Sequence, residues 1–504
     1  MKREKNLKKS KGRNPEELRS LLEKEEKRIE NNNMMNKSVV NVTYIIAAVF
    51  LFMVGYIIYF MLVESTAVIA NSANRRADKF ADKIVRGSIL TSDGKVVAET
   101  KVDKSGKEKR NYPEGKMFSH VVGYDSYGRS GLELDTNFYL LTSNANIFER
   151  TYNTLREKKN KGDNVVSTLD YNMQQTAYKA LSGVQGAIMV MEPATGKVLA
   201  MVSKPDFDPN DIDNVWKKAT AEDSKETMLL NRATQGLYAP GSTFKILTAL
   251  EYINEYGNAY KKYSYECEGK STFDDVSIKC AHNEKHGKVD LASTLAHSCN
   301  TSVANIGTKI SAGGLKTLCE GFLYNSDLPY SGVYSKSRFK LDTHSSRKEI
   351  PQTVIGQGET LITPLHNLMI ISAIANGGVL MKPYLIDSVE NYAGVRVKKF
   401  TGSSYGSLLS ADKASLISKM LEGVINDGTA TKYLKDAKYS VAGKTGTAEY
   451  GSDGNVNSWF IGYSNVDDPD IAVSIVIEDA DTAGVKAAAV ARKLFDTYYK
   501  NAKD

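Results

Sequence analysis

The sequence predicts an α+β domain outside the cell membrane, carried on a smaller β-rich pedestal and tethered by one N-terminal transmembrane helix. Three observations predict it. A charge-free run, Val39–Val63, follows a strongly basic start. From Gly162 onward, apolar strand patterns stand near both ends with helical patterns between them. A loop-rich stretch too small to bury much core alone separates the two. Strands at both ends of a helical middle imply one layered domain whose first and last strands share a sheet. A length of 504 residues suggests two or three domains, and 41% hydrophobic with 25% charged residues is a globular composition.

Residues 1–38 form a basic tail, with Lys2, Arg3, Lys5, Lys8, Lys9, Lys11 and Arg13 against Glu4 alone at its start. Such a tail suits nucleic acid, but the apolar run behind it supplies a membrane reason, so no nucleic-acid partner is expected. Residues 39–63 are long enough to span a bilayer as a helix. The preceding bases predict a cytoplasmic tail and an extracellular remainder. The run exceeds the apolar core of about 7–15 residues in a secretory signal, so it reads as an uncleaved anchor. Glu16–Glu30 reads as a charged juxtamembrane helix that Asn31–Asn33 interrupts.

The pedestal is expected over 64–161. Arg86–Ala98 reads as a hairpin turning at Asp93-Gly94. The main domain is expected over 162–504. Asn164–Leu169 is a strand and Tyr171–Leu181 a helix. Gly186–Met191 and Gly196–Val202 form a strand pair, as do Ser458–Gly462 and Ile471–Ile477, and Val485–Tyr499 is a closing helix.

Inside that domain lies Tyr238-Ala239-Pro240-Gly241-Ser242-Thr243-Phe244-Lys245. Pro240 and Gly241 lead into a helix whose apolar stripe is Ile246, Ala249, Leu250 and Ile253. Ser242 is placed in its first turn, where free N–H groups favour developing negative charge. Lys245, three residues on, shares its face. It is the only charge between Leu237 and Leu250, so desolvation should lower its pKa and make it a base beside a hydroxyl. Ser298-Cys299-Asn300 and Lys444-Thr445-Gly446-Thr447 follow in order. The ordered set S-x-x-K, S-x-N, K-T-G is far more specific than any one member.

With these motifs the chain resembles the class B penicillin-binding proteins, the monofunctional peptidoglycan D,D-transpeptidases. The likeness extends to Arg86-Gly87 with Asp93-Gly94, Tyr112-Pro113, His120–Tyr124, Gly131-Leu132-Glu133, Thr168–Asp170 with Gln174, Pro205–Asn210, and Gly356-Gln357-Gly358 before Thr363-Pro364-Leu365. It implies a penicillin-binding/serine β-lactamase-like fold, a central antiparallel sheet with helices on both sides. It also implies peptidoglycan stem peptides as substrates, β-lactams as covalent inhibitors, no cofactor for catalysis, and a partner membrane glycosyltransferase that polymerises glycan. By this resemblance Ser242 attacks the penultimate D-alanine carbonyl and Lys245 takes its proton. Ser298 relays a proton to the leaving amine, and Asn300 bonds Lys245 and substrate; the plainer reading of Ser298 or Asn300 is a helix N-cap. Lys444 supplies positive charge, Thr445 and Thr447 face substrate, and Gly446 gives its backbone room. The N–H groups of Ser242 and Thr447 form the oxyanion hole.

Four cysteines, Cys267, Cys280, Cys299 and Cys319, do not look like a disulfide framework. Cys267, Cys280, His282 and His286 are ligand types suited to structural zinc, and Cys299 could join them. A Cys267–Cys280 disulfide and free buried thiols are the alternatives, and Cys319 reads as a core residue. Two rival functions stay open. One is a serine β-lactamase, for which Glu422 and Asn426 look misplaced. The other is a non-catalytic scaffold activating a glycosyltransferase.

Overall fold

The computed structural model describes residues 14–60, 82–451 and 454–501. The start of the tail, anchor residues 61–63 and pedestal residues 64–81 lie outside the described residues. Two compact units divide the chain near residue 74.

The first unit contains one helix, α1 (Pro15–Tyr59, 45 residues). Asn14 caps it, its side chain accepting from the Glu16 N–H at 3.4 Å, and Pro15 sits at the start, where no N–H is needed. The expected break at Asn31–Asn33 does not occur. Each asparagine costs only a fraction of a kcal/mol in a helix, and a nucleated helix propagates through such positions. Its apolar part has a mean hydropathy of 2.2 and is long and apolar enough to cross a membrane.

The second unit begins with the pedestal. Its six-stranded sheet runs, in spatial order, Arg396–Lys399, Ile386–Glu390, Asn164–Ser167, Ile89–Leu90, Val96–Val102 and Glu108–Asn111. The expected hairpin is present, closed by Gly94 at φ +81°. Strands from either side of residue 161 share this sheet. Asn164–Ser167 pairs parallel with Ile89–Leu90 and antiparallel with Ile386–Glu390. A helix, α2 (Ile147–Leu155), follows the pedestal's small helices.

The pedestal turns on one buried carboxylate. Glu133 is completely buried between Arg86, whose Nη2 is 2.6 Å away, and Arg110, whose Nε is 2.7 Å away. Burial alone would raise its pKa; the two guanidinia outweigh that and hold it below the usual carboxylate range. Arg110 also donates to the Gly87 carbonyl and Arg86 to the Glu133 carbonyl. Thus Arg86-Gly87 and Gly131-Leu132-Glu133, far apart in sequence, are two halves of one contact.

The main domain opens with α3 (Tyr171–Ala180), capped by Asp170. Its sheet holds β1 (Gly186–Met191), β2 (Val198–Lys204), β3 (Val441–Tyr450), β4 (Asn455–Ser464) and β5 (Ala472–Ile477), in spatial order β3-β4-β5-β1-β2, all antiparallel. Gly186–Met191 and the last strands therefore share one sheet, as the patterns imply, whereas the strand expected first in this domain, Asn164–Ser167, belongs to the pedestal sheet. Every residue of β1 and β5 is buried, because helices cover both faces. Between β2 and β3 the chain forms α4 (Lys245–Tyr256), α5 (Asn300–Gly307), α6 (Pro364–Ala375) and α7 (Ala411–Asn426). The closing helix, α8 (Ala487–Asn501), packs on α3 and the sheet.

Replacing Glu133 by Gln leaves two buried guanidinia facing a neutral amide. Breaking a buried ion cluster costs about 3–5 kcal/mol, so Glu133→Gln should lower the unfolding free energy from denaturant titration by that much. A loss below about 1 kcal/mol, the worth of an exposed pair, would show that the cluster is not what holds the pedestal.

Candidate active site

A cleft of about 920 Å³ is bordered by Ser242, Ser298, Asn300, Thr445, Gly446 and Thr447. All three motifs therefore converge. Ser242 lies in a 3-10 turn, Gly241–Thr243, that abuts α4 rather than in the first α-helical turn. Two glycines make this turn possible. Gly241 has φ +52°, and a Cβ there would stand 2.5 Å from the Thr447 carbonyl oxygen. Gly356 has φ +82°, and its Cβ would stand 1.9 Å from the Gly241 carbonyl oxygen. The Gly241 N–H donates to the Gly356 carbonyl at 2.9 Å. The serine turn is thus clamped between β3 and the Gly356-Gln357-Gly358 loop.

Lys245 is completely buried beneath the cleft. Its Nζ donates to the Ser298 carbonyl at 2.7 Å, to Ser298 Oγ at 3.2 Å and to Asn300 Oδ1. Burial pulls its pKa down to about 8, in the expected direction. Ser298 takes φ +56°, a conformation uncommon outside glycine and often held at functional sites. Neither Ser298 nor Asn300 is the N-cap of α5; that position is Cys299, which makes no side-chain cap bond. Asn300 is instead fixed from both sides, its Nδ2 donating to the Lys279 carbonyl at 2.8 Å.

On β3 the alternation puts Thr445, Thr447 and Glu449 outward and Lys444, Gly446 and Ala448 inward. Lys444 is fully buried, its Nζ donating to the Thr445 carbonyl at 3.0 Å. Burial, then the charge of Lys245, holds its pKa far below the lysine range. Gly446 has a reason different from the expected one. A Cβ there would meet Trp459 Cβ at 2.9 Å and Thr243 Cγ2 at 3.1 Å, so the glycine serves the packing of β3 against the serine turn. Thr429 and Gln357 also border the cleft. Thr429 Oγ1 shares a hydrogen bond with Thr445 Oγ1, and its N–H donates to the Ala296 carbonyl at 3.1 Å. Nothing in the local sequence marks Thr429, whereas Gln357 sits between the two glycines of Gly356-Gln357-Gly358.

The cysteines gather against the same wall. Cys267, Cys280, Cys299 and His286 bring their donor atoms within 4.8 Å of one another. Cys299 joins the expected group and His282 leaves it. His282 is exposed at φ +52° in a turn directed by its own backbone, whereas Cys299 is carried in by the S-x-N segment. The Sγ atoms of Cys267 and Cys280 stand 3.7 Å apart and those of Cys280 and Cys299 3.8 Å. These are free thiols, far beyond a disulfide bond length. Sulfurs about 2.3 Å from a tetrahedral metal stand about 3.8 Å from each other, so the observed spacing fits a shared ion. His286 Nδ1 is 3.4 Å from Cys267 Sγ, and its Nε2 is 3.8 Å from Glu284 Oε2, which would orient the ring. Cys319 is buried apart from this group in the core.

Comparison with known proteins identifies the family. The family model of the penicillin binding protein transpeptidase domain matches residues 186–496, and that of the penicillin binding protein A dimerisation domain matches 86–165. The peptidoglycan D,D-transpeptidase PbpA of Mycolicibacterium smegmatis is 28% identical over 443 residues, covering 81% of this chain and 87% of that one. The D,D-transpeptidase domain of a peptidoglycan glycosyltransferase from Eggerthella lenta is 31% identical, with TM-score 0.72, covering 83% of this chain and 99% of that one. Penicillin-binding protein A of Mycobacterium tuberculosis, solved as an imipenem acyl-enzyme, shares the fold at 24% identity, with TM-score 0.73, covering 82% of this chain and 99% of that one. The chain belongs to the penicillin-binding protein transpeptidase family, as a class B member.

Proposed function

We propose that the protein is a serine-type peptidoglycan D,D-transpeptidase. The observation that carries this is a fully buried Lys245, with pKa lowered to about 8, three residues from a clamped Ser242 and bonded to Ser298 and Asn300. Ser242 Oγ attacks the penultimate D-alanine carbonyl of a stem peptide, and neutral Lys245 accepts its proton. Ser298 returns a proton to the leaving D-alanine. The amine of a second stem then resolves the acyl-enzyme into a cross-link. The N–H groups of Ser242 and Thr447 receive the oxyanion; the Thr447 backbone already lies against Gly241. Thr445 and Thr447 hold the substrate carboxylate, Gly446 seats their strand against the serine turn, and Lys444, fully buried with a strongly lowered pKa, serves through its bond to the Thr445 carbonyl instead of through the positive charge expected of it. The reaction needs no cofactor.

β-Lactams would acylate the same serine and persist. Glu422, which with Asn426 superficially offers a hydrolytic pair, borders a separate pocket. Among the described residues, the carboxylates on the cleft, Glu284 and Glu449, are exposed, which disfavours a held hydrolytic water and with it the β-lactamase reading. We place the tail on the cytoplasmic side, the catalytic domain outside, and a glycan-polymerising membrane glycosyltransferase as partner. We also assign structural zinc to Cys267, Cys280, Cys299 and His286. Since Cys299 lies between Ser298 and Asn300, the metal would brace both partners of Lys245.

Fluorescent penicillin should label Ser242, and peptide mapping should find the adduct there; rapid turnover of the drug would support a lactamase instead. Lys245→Ala should slow acylation by about 10²–10⁴ in a folded protein. A base must be unprotonated, so acylation should rise roughly tenfold per pH unit up to about 8 and level off above it. A profile flat through that range would remove Lys245 as the base.

Protein purified without a histidine tag should carry close to one zinc per chain by elemental analysis. A chelator should lower its melting temperature and slow acylation. Cys267→Ser should reproduce both effects and Cys319→Ser neither. Metal well below one per chain, with no chelator effect, would falsify the site.

A further inference from the structure

The pedestal helix α2 is amphipathic the wrong way round for a helix that serves a core. Its apolar side chains recur at helical spacing on one side: Ile147, Phe148, Tyr152 and Leu155. That side faces solvent, with 70%, 81%, 51% and 80% of each residue exposed. The polar side faces the protein. Glu149 accepts a hydrogen bond from the Tyr392 hydroxyl, and Asn153 Nδ2 donates to Asn160 Oδ1 at 3.1 Å. No residue of α2 is buried. Isolated exposed apolar residues need no explanation, but a continuous stripe on an ordered helix marks a surface made to be covered.

Two features say what covers it. The first is charge. Ile147–Lys161 carries five bases, Arg150, Arg156, Lys158, Lys159 and Lys161, against the acids Glu149 and Glu157, and Glu149 is engaged by Tyr392. Arg150, Arg156 and Lys158 are exposed beside the apolar stripe. Apolar side chains flanked by bases are the composition of helices that lie in the interface of an anionic bilayer. The second is position. Asn160, which α2 holds through Asn153, donates its N–H to the Lys83 carbonyl at 3.0 Å, and Asn160–Lys161 pairs with Ile84–Val85. Those are the first described residues after the apolar helix α1 and the intervening residues 61–81. The stripe therefore sits beside the first described residues of this unit, and the chain N-terminal to them carries the apolar helix α1 as a tether. A tether of that kind raises the effective concentration of lipid there.

We propose that α2 docks on an anionic lipid surface, with Phe148, Tyr152 and Leu155 inserted into the headgroup–acyl boundary and the neighbouring bases on lipid phosphates. Such a helix penetrates about 5–10 Å. Docking here would hold the pedestal by its side as well as by its tether.

The test uses the full chain in lipid nanodiscs containing phosphatidylglycerol with brominated acyl chains. Phe148→Trp adds an indole to the two native tryptophans, Trp216 and Trp459, and the unsubstituted chain supplies their background. The added emission should be blue-shifted and quenched by bromine, and the quenching should weaken at high salt and in zwitterionic lipid. Leu155→Trp should give the same reading, and unchanged penicillin acylation reports that both variants are folded. An introduced indole that emits as in water and escapes bromine at both positions overturns the proposal. Equal quenching in purely zwitterionic lipid overturns the anionic preference. Shielding that requires a co-purified protein overturns it in favour of a protein groove.

Discussion

The structure depends on keeping one lysine amine out of water. An isolated charge at the position of Lys245 would be costly to bury, and the protein lowers the cost in two ways. It lets the amine approach neutrality, and it surrounds the nitrogen with the Ser298 carbonyl, the Ser298 hydroxyl and the Asn300 amide oxygen. Each of those acceptors then needs its own support. Ser298 must hold a left-handed backbone, and Asn300 must be pinned by the Lys279 carbonyl. The hairpin that carries Lys279 is in turn gathered by the thiols of Cys267 and Cys280. The proposed chemistry of the serine, the left-handed S-x-N turn and the cysteine cluster all border on this one desolvated nitrogen or its supports.

Much of this was legible in the chain. The strand pair of β1 and β2 and that of β4 and β5 showed as short apolar runs around turn residues, because strands buried on both faces have no polar alternation to blur them. The three motifs predicted their own convergence, since an acyl-transfer site needs nucleophile, base and oxyanion donors within a few ångströms. The depression of Lys245 could be read from the absence of other charge around it.

What was not legible depended on contacts between distant segments. His282 and Cys299 exchange places in the cysteine–histidine cluster because spacing along a loop does not say which side chain a turn directs inward. The reason for Gly446 lies in Trp459, its cross-strand neighbour, and in Thr243 on another element. Thr429 carries no local signal because its place depends on a backbone bond to Ala296. The asparagines in α1 mislead for a different reason: their propensity penalty is real but small beside the length of helix on either side.

The sharing of the pedestal sheet has a mechanical side. Asn164–Ser167 sits in the middle of that sheet, and the next residues fasten directly to the catalytic one: Thr168 Oγ1 donates to the Val198 carbonyl at 2.7 Å and the Asp170 N–H to the Leu199 carbonyl at 2.9 Å. Ile386–Glu390 supplies a second crossing, with the Val198 N–H donating to the Tyr384 carbonyl at 3.0 Å. Two strands thus pass from one sheet to the edge of the other without a flexible connection between them. A load applied to the pedestal is delivered to β2 as shear along hydrogen-bonded backbone, so the two parts behave as a lever and its fulcrum, not as a head on a swivel.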